Sequence, residues 1–265
     1  MTQTIICFDN ILNDDAVTVT ASSTKDGYYV ENLYDFLSYD RWESDEMTVP
    51  TITVSGTDLT ADYFSIVYHN VGGVVCNVYI DSVLTDTFTP EDGAPILRLL
   101  VDEPGDTPLT FDEFQIEFET LEDVRVSLLY VGELLLTERP CKYIGHNPIN
   151  LSKKTKVSPV NAMNGQTLGG RVLYTGASNT YEIENLSPDW VRGDDFQAFM
   201  DHVETVRPYL IAWRQVDYPL EIGFGWTYEP LKPQNQRTNG MMNVNWAFEA
   251  VVDSNIEQIG DYEVS

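Results

Sequence analysis

Residues 194–252 constrain the fold most, because one amphipathic helix there runs directly into three strand-like segments, each with a large-apolar face. In DDFQAFMDHVETVR, residues Phe196, Phe199, Met200, Val203 and Val206 recur at steps of three and four, which stacks them on one helical stripe. Asp194 and Asp195 suit the positive N-terminal end of that helix, and Pro208 is expected to stop it. The period then switches to two. Leu220, Ile222, Phe224, Trp226 and Tyr228 fall on one face, and Glu221, Gly223, Gly225, Thr227 and Glu229 on the other. NVNWAFEA repeats the alternation, with Val244, Trp246, Phe248 and Ala250 facing in, and YLIAWRQV reads as a third, less regular strand. The connections are too short for parallel crossovers, so one helix must cover a mostly antiparallel sheet.

Between residues 1 and 140 the pattern is different. Short apolar runs recur between turn residues, as in a β-sandwich or jelly roll: AVTVTA, TITVSG, DYFSIVYHNV, VVCNVYID, PILRLLVD, FDEFQIEFET and VRVSLLYVG. In FDEFQIEFET, Phe114, Ile116 and Phe118 alternate with Gln115, Glu117 and Glu119, so one face packs and the other meets water. No helical pattern interrupts this region. Residues 140–170, with Pro140, Pro148, Pro159 and the turns Asn164–Gly165 and Gly169–Gly170, read as a connection. The expected organisation is mainly β: a jelly-roll sandwich over 1–145, then a β-sandwich flanked by one α-helix over 146–265. RVLYTG and NTYEIENL supply the first two strands of the second part, giving a β-β-α-β-β-β order. EPLKPQNQRTNG is a polar loop expected to project.

Composition narrows function. At 265 residues and 43% hydrophobic content the chain can build a substantial core. Fifteen basic against 42 acidic residues give a net charge of −27, which opposes grip on nucleic-acid phosphates or anionic membranes. Residues 1–140 hold five Lys/Arg and 27 Asp/Glu, whereas residues 141–265 hold ten and 15, so two different surfaces are implied. No apolar stretch reaches the roughly 20 residues needed to cross a bilayer, and MTQTIICFDN lacks a basic segment followed by an apolar core. Cys7, Cys76 and Cys141 are widely spaced and read as reduced, buried thiols of a protein made in a cytoplasm.

The usual catalytic patterns are missing. His69, His146 and His202 form no metal-ligand spacing with each other or with the cysteines, and no catalytic, metal or cofactor residue is assigned. His202 falls off the apolar stripe and is expected at a solvent-facing or edge position. No GxSxG is present, and the glycines of GFGWTY and Gly72–Gly73 sit within or between strands and not at a helix start. With 42 acids, pairs such as Asp40 with Glu43 arise by chance. Of five tryptophans, Trp226 and Trp246 read as core and Trp190, in SPDWVRG, as an interface candidate. The basic cluster Lys153, Lys154 and Lys156 and the loop 229–240 with Arg237 are the other interface candidates, suited to an acidic neighbour.

Two stretches resemble known families. ASSTKDGYYVENLYDFLSYDRWESDE with TITVSG, DYFSIVYHNV and YVGELLLTERP, notably Asn32, Leu33, Asp35, Trp42, Asn70 and Gly132, resembles the galactose-binding-like jelly rolls of bacteriophage tail proteins over residues 15–140. The resemblance puts Asp35 and Trp42 in the role of fixing the first long loop. Residues 165–252, especially GGRVLYTG, DDFQAFMDHVETVRPYLIAW, YPLEIGF and GMMNVNWAFEAV, look like the ring-forming part of tail-tube-like and distal tail proteins of long-tailed phages. In distal tail proteins the ring-forming domain usually precedes the jelly roll; here the order is reversed. The resemblance implies a structural, non-enzymatic virion protein of the tail tip or baseplate. It would form a ring of its own copies around the tail channel, next to tube and hub proteins. The alternative is a carbohydrate-binding adhesion module that meets host glycans through loops near Tyr34, Tyr39 and Trp42.

Overall fold

The computed structural model describes residues 3–251 apart from 46–48, 92–93, 143–147, 150–151, 162, 164–165, 216–217, 219 and 237–239. The chain divides into two compact units, residues 5–137 and residues 1–4 with 138–253.

The first unit contains β1 (Ile5–Cys7), β2 (Thr18–Ala21), β3 (Trp42–Glu43), β4 (Thr51–Ala61), β5 (Tyr63–His69), β6 (Cys76–Ile80), β7 (Val83–Phe88), β8 (Ile96–Leu99), β9 (Leu109–Phe118), β10 (Arg125–Gly132) and β11 (Leu135–Leu136). A four-stranded sheet in the order β3-β10-β5-β8 and a five-stranded sheet in the order β2-β4-β9-β6-β7 share one apolar core. All seven apolar runs of this region are strands. The alternation of β9 is as expected: Phe114, Ile116 and Phe118 are fully buried, and Phe114 meets Phe64 at 5.4 Å between ring centroids. Each such side chain contributes about 2 kcal/mol of burial. Four strands lie outside those runs: β1, β3 and β11 have only two or three residues, and β7 carries no apolar period because Val83 and Leu84 on this sheet edge are exposed. The only helical segments among the described residues of this unit are two 3-10 turns, Ile11–Asn13 and Val30–Leu33. Cys7 and Cys76 here, and Cys141 in the other unit, are buried free thiols.

The second unit contains β12 (Lys153–Asn161), β13 (Thr167–Leu186), α1 (Pro188–Val191), α2 (Asp194–Glu204), β14 (Tyr209–Ala212), β15 (Ile222–Trp226), β16 (Gln234–Asn235) and β17 (Met242–Val251). Its strands run in the order β14-β15-β17-β13-β12, with β16 beside β17. Two expectations are corrected. The connection 140–170 contains β12, and RVLYTG with NTYEIENL is one continuous strand, β13. Pro159 misleads at the sequence level because proline cannot complete a central ladder, but β12 is an edge strand, where the missing N–H is tolerated. The loop 229–240 also carries β16, which pairs Gln234 with Asn243.

Helix α2 buries Phe196, Phe199 and Val203 as expected, and Phe199 meets Tyr209 edge-on at 5.1 Å. The Trp246 indole donates to Tyr209 Oη at 2.9 Å, and Tyr209 Oη bonds Thr227 Oγ1 at 2.7 Å, so the polar atoms under the helix are satisfied. The helix ends at Glu204, before Pro208, and the chain turns back at Val206, which has φ 55° and is exposed. That reversal covers His202. Contrary to the edge position expected, His202 is buried and its Nε2–H donates to the Pro208 carbonyl at 2.9 Å, with burial pushing the imidazole down to about 4. A β-branched residue in the left-handed region at a helix end costs about 1–2 kcal/mol relative to glycine. Val206→Gly is therefore expected to stabilise the second unit by about 1 kcal/mol; a lower thermal midpoint in calorimetry would contradict the strain argument.

Strand β15 departs from its predicted alternation. Leu220 and Tyr228 lie outside the strand and are exposed, while Gly223 and Gly225, placed on the water face by period, are buried. The glycines explain this: a Cβ on Gly225 would stand 2.1 Å from the Glu249 carbonyl oxygen. The strand can approach β17 only without a side chain there.

Candidate functional site

In the jelly-roll unit the long loop between β2 and β4 is held by a buried carboxylate. Glu43, whose side chain is 2% exposed, pairs with Lys25 Nζ at 2.5 Å, Arg41 Nε at 3.2 Å and Arg125 Nε at 3.6 Å. Asp123 joins at 3.5 Å from Lys25. Residues 1–140 have only five Lys/Arg, and three of them converge here. The Glu43 pairing raises the Lys25 ammonium above its ordinary value. Asn32 Nδ2 donates to the Arg41 carbonyl at 2.8 Å, closing the loop, and the Arg41 guanidinium lies over the Tyr28 ring, 4.8 Å from its centroid. Tyr29 and Tyr39, on the same loop, are 57% and 66% exposed.

The remaining residues singled out by pattern are structural fasteners. The Trp42 indole is fully buried and donates to the Ser23 carbonyl at 3.1 Å, Asp35 Oδ1 accepts from Leu37 N at 2.7 Å, and Leu33 is in the core. Asn70 Nδ2 donates to the Asp123 carbonyl while its Oδ1 accepts from Arg125 N, and a Cβ on Gly132 would lie 2.7 Å from the Asp9 carbonyl. Trp42 is thus removed from any glycan-contacting role, whereas the tyrosines beside it are available. Sequence reasoning missed the Glu43 cluster because, Arg41 apart, its basic partners Lys25 and Arg125 stand 18 and 82 residues away, with no spacing to mark them.

Perturbed carboxyls elsewhere do not make a reaction site. Asp62 is pushed up to about 6, first by burial and then by Glu133 and Asp9, but it is 3% exposed and its Oδ1 already accepts from Leu134 N at 2.8 Å. Among the described residues no group of three or more His, Cys, Asp or Glu is placed to hold a metal ion. In the second unit a shallow pocket is lined by Thr180, Glu229, Pro230, Lys232, Asn245 and Trp246, without a reactive group matched to a base. No helix among the described residues is long and apolar enough to cross a membrane.

The second unit's distinctive feature is a projecting hairpin. β12 pairs with β13 from Lys153↔Ala177 to Asn161↔Thr167, whereas β17 pairs with β13 only from Gly176 onward. Residues 167–175 therefore have β12 on one side and, among the described residues, no strand on the other; β12 likewise ends the sheet. At about 3.3 Å per residue, a nine-residue arm reaches about 30 Å. Met163 at its tip is fully exposed. Residues 139–181 contain no Asp or Glu, in a chain that has 42 of them, and the hairpin itself carries Lys153, Lys154, Lys156 and Arg171. The three lysines singled out from sequence thus lie together on β12. Lys154 is exposed and 3.8 Å from Glu249. Trp190, on α1, is half-buried against Phe196 at 4.7 Å, apart from the hairpin in sequence and more anchored than free. Arg237 lies outside the described residues.

No family model and no curated protein sequence matches this chain. Solved structures do. The family 32 carbohydrate-binding module of Clostridium perfringens NanJ, in complex with galactose, is 13% identical, covering 50% of this chain and 99% of that module with a TM-score of 0.38. Chitosan-binding module 1 of the chitosanase/glucanase from Paenibacillus sp. IK-5 is 19% identical, covering 49% and 98%, with a TM-score of 0.38. A Ruminococcus gnavus GH29 fucosidase is 17% identical with a TM-score of 0.39, covering 49% of this chain but only 27% of the fucosidase. None of these is a phage tail protein.

Proposed function

We propose that the protein is a non-catalytic component of a phage virion tail tip that assembles with its own copies into a ring around the tail channel, beside tube and hub proteins. The observation that supports this most is the hairpin of β12 and β13, whose strand edges, unpaired among the described residues, offer backbone donors and acceptors to a neighbouring strand. A channel that passes DNA is served by walls that do not hold phosphates, and the net charge of −27 is consistent with that. The test is direct. Purified full-length protein is expected to show rings by negative-stain microscopy and a matching mass. A variant in which an Asn-Gly turn replaces residues 157–173, joining the register partners Lys156 and Tyr174, is expected to stay folded and monomeric. A monomeric wild type, or an equally assembled short-hairpin variant, ends this reading.

A second reading concerns the jelly roll alone and is favoured by the exposed Tyr29 and Tyr39 beside the Arg41–Tyr28 stack: this face takes host-cell carbohydrate, with aromatic rings as platforms and the guanidinium as donor. It is compatible with the first, since a ring can display such a module outward. On a glycan array the full-length protein is expected to bind, and Tyr29→Ala with Tyr39→Ala to lose roughly tenfold in affinity, about 1.4 kcal/mol. Binding that survives the double substitution unchanged would move the site elsewhere.

A further inference from the structure

Resting on the assembly reading, we infer that the hairpin docks on the acidic surface of a second copy, and that this docking has an optimum in ionic strength. The hairpin brings four positive charges and no negative one, so the rest of the chain carries −31 against the total of −27. Residues 5–137 hold four Lys/Arg and 26 Asp/Glu, so most of the negative surface lies there. Among the described residues Met163 near the tip is fully exposed, no strand pairs residues 167–175 on the side away from β12, and Lys154 makes a 3.8 Å surface contact with Glu249 that exchanges at little cost. A second copy is the matching occupant because every copy supplies both halves, which is the requirement of a head-to-tail ring. Nucleic acid, a polyanion that could also meet the arm, does not supply the arm's own counterpart in every copy and is a separate outcome of the test.

Two electrostatic effects of opposite sign then compete through their range. At about 0.01 M salt the Debye length is about 30 Å, comparable to the reach of the arm, and whole copies repel. At about 0.15 M it falls to about 8 Å, which silences distant repulsion but leaves charges across the contact attracting. At about 1 M, with about 3 Å, that attraction is screened as well. The assembled fraction therefore rises and falls again.

Analytical ultracentrifugation of full-length protein across this salt range tests it. The assembled fraction is expected to be several-fold higher near 0.15 M than at either extreme. The variant K153Q/K154Q/K156Q/R171Q is expected to lose assembly at least tenfold with an unchanged thermal midpoint, while the control R207Q/K232Q keeps it. A monotonic rise with salt, equal assembly by the fourfold variant, or hairpin-dependent retention of a duplex of about 30 base pairs overturns the inference. Rings that form regardless of salt and hairpin charge would sink it alone. A wild type that stays monomeric at every salt would sink the assembly reading with it.

Discussion

Glu43→Gln is expected to destabilise the jelly-roll unit by about 3 kcal/mol, read as a drop in the midpoint of its urea transition. The carboxylate is 2% exposed and faces Lys25, Arg41 and Arg125. Removing the shared partner of a buried ion cluster leaves Lys25, Arg41 and Arg125 with only the more distant Asp123 as counter-charge, and losses of about 3–5 kcal/mol are typical of such breaks. The value expected here is at the lower end because Lys25 is 45% and Arg125 31% exposed, so water recovers part of the loss. The substitution should also free the loop carrying Tyr28, Tyr29 and Tyr39, so proteolytic nicking between residues 25 and 41 should accelerate. A change below about 1 kcal/mol would show that the cluster behaves as ordinary surface pairs.

Gly225→Val is expected to cost more than about 3 kcal/mol and to abolish the folded second unit at ambient temperature. Its Cβ would meet the Glu249 carbonyl oxygen at 2.1 Å and Ala250 Cα at 2.7 Å, both backbone atoms of β17 that cannot rotate away. Gly223→Ala is the internal comparison. There the nearest atoms are side-chain carbons, Phe248 Cε1 at 2.9 Å and Ile149 Cγ1 at 3.3 Å, so repacking limits the loss to about 1 kcal/mol. Near-ultraviolet circular dichroism of the two variants should rank them in that order. The reverse ranking would mean that β15 and β17 do not pair as Gly225↔Ala250.

What could be read in advance follows from where the information is stored. Strands with one dry face declare themselves by period, as β9 and β17 do through Phe114–Ile116–Phe118 and Val244–Trp246–Phe248, and so does the stripe of α2. Edges do not. β7 has little buried face to impose a period, and in β12 Pro159 carries a loop signature that an outermost strand can ignore. His202 was misplaced because its cover comes from the reversal at Val206, a backbone conformation that valine rarely adopts. The loop face around Tyr28 was partly visible through its tyrosines, but its organising carboxylate was not, since ion pairs between β3, β10 and the preceding loop depend on sheet pairing and leave no trace in spacing. Lys153, Lys154 and Lys156 were legible as a basic cluster, yet only the pairing of β12 with β13 turns them into an arm.

The chain enters the jelly roll after residue 4 and leaves it at residue 137, and the strands that carry it in and out lie side by side, with Ile5 opposite Leu136 and Ile6 opposite Leu135. Both ends of residues 5–137 therefore lie at one place, the arrangement in which a domain is readily inserted into a host chain.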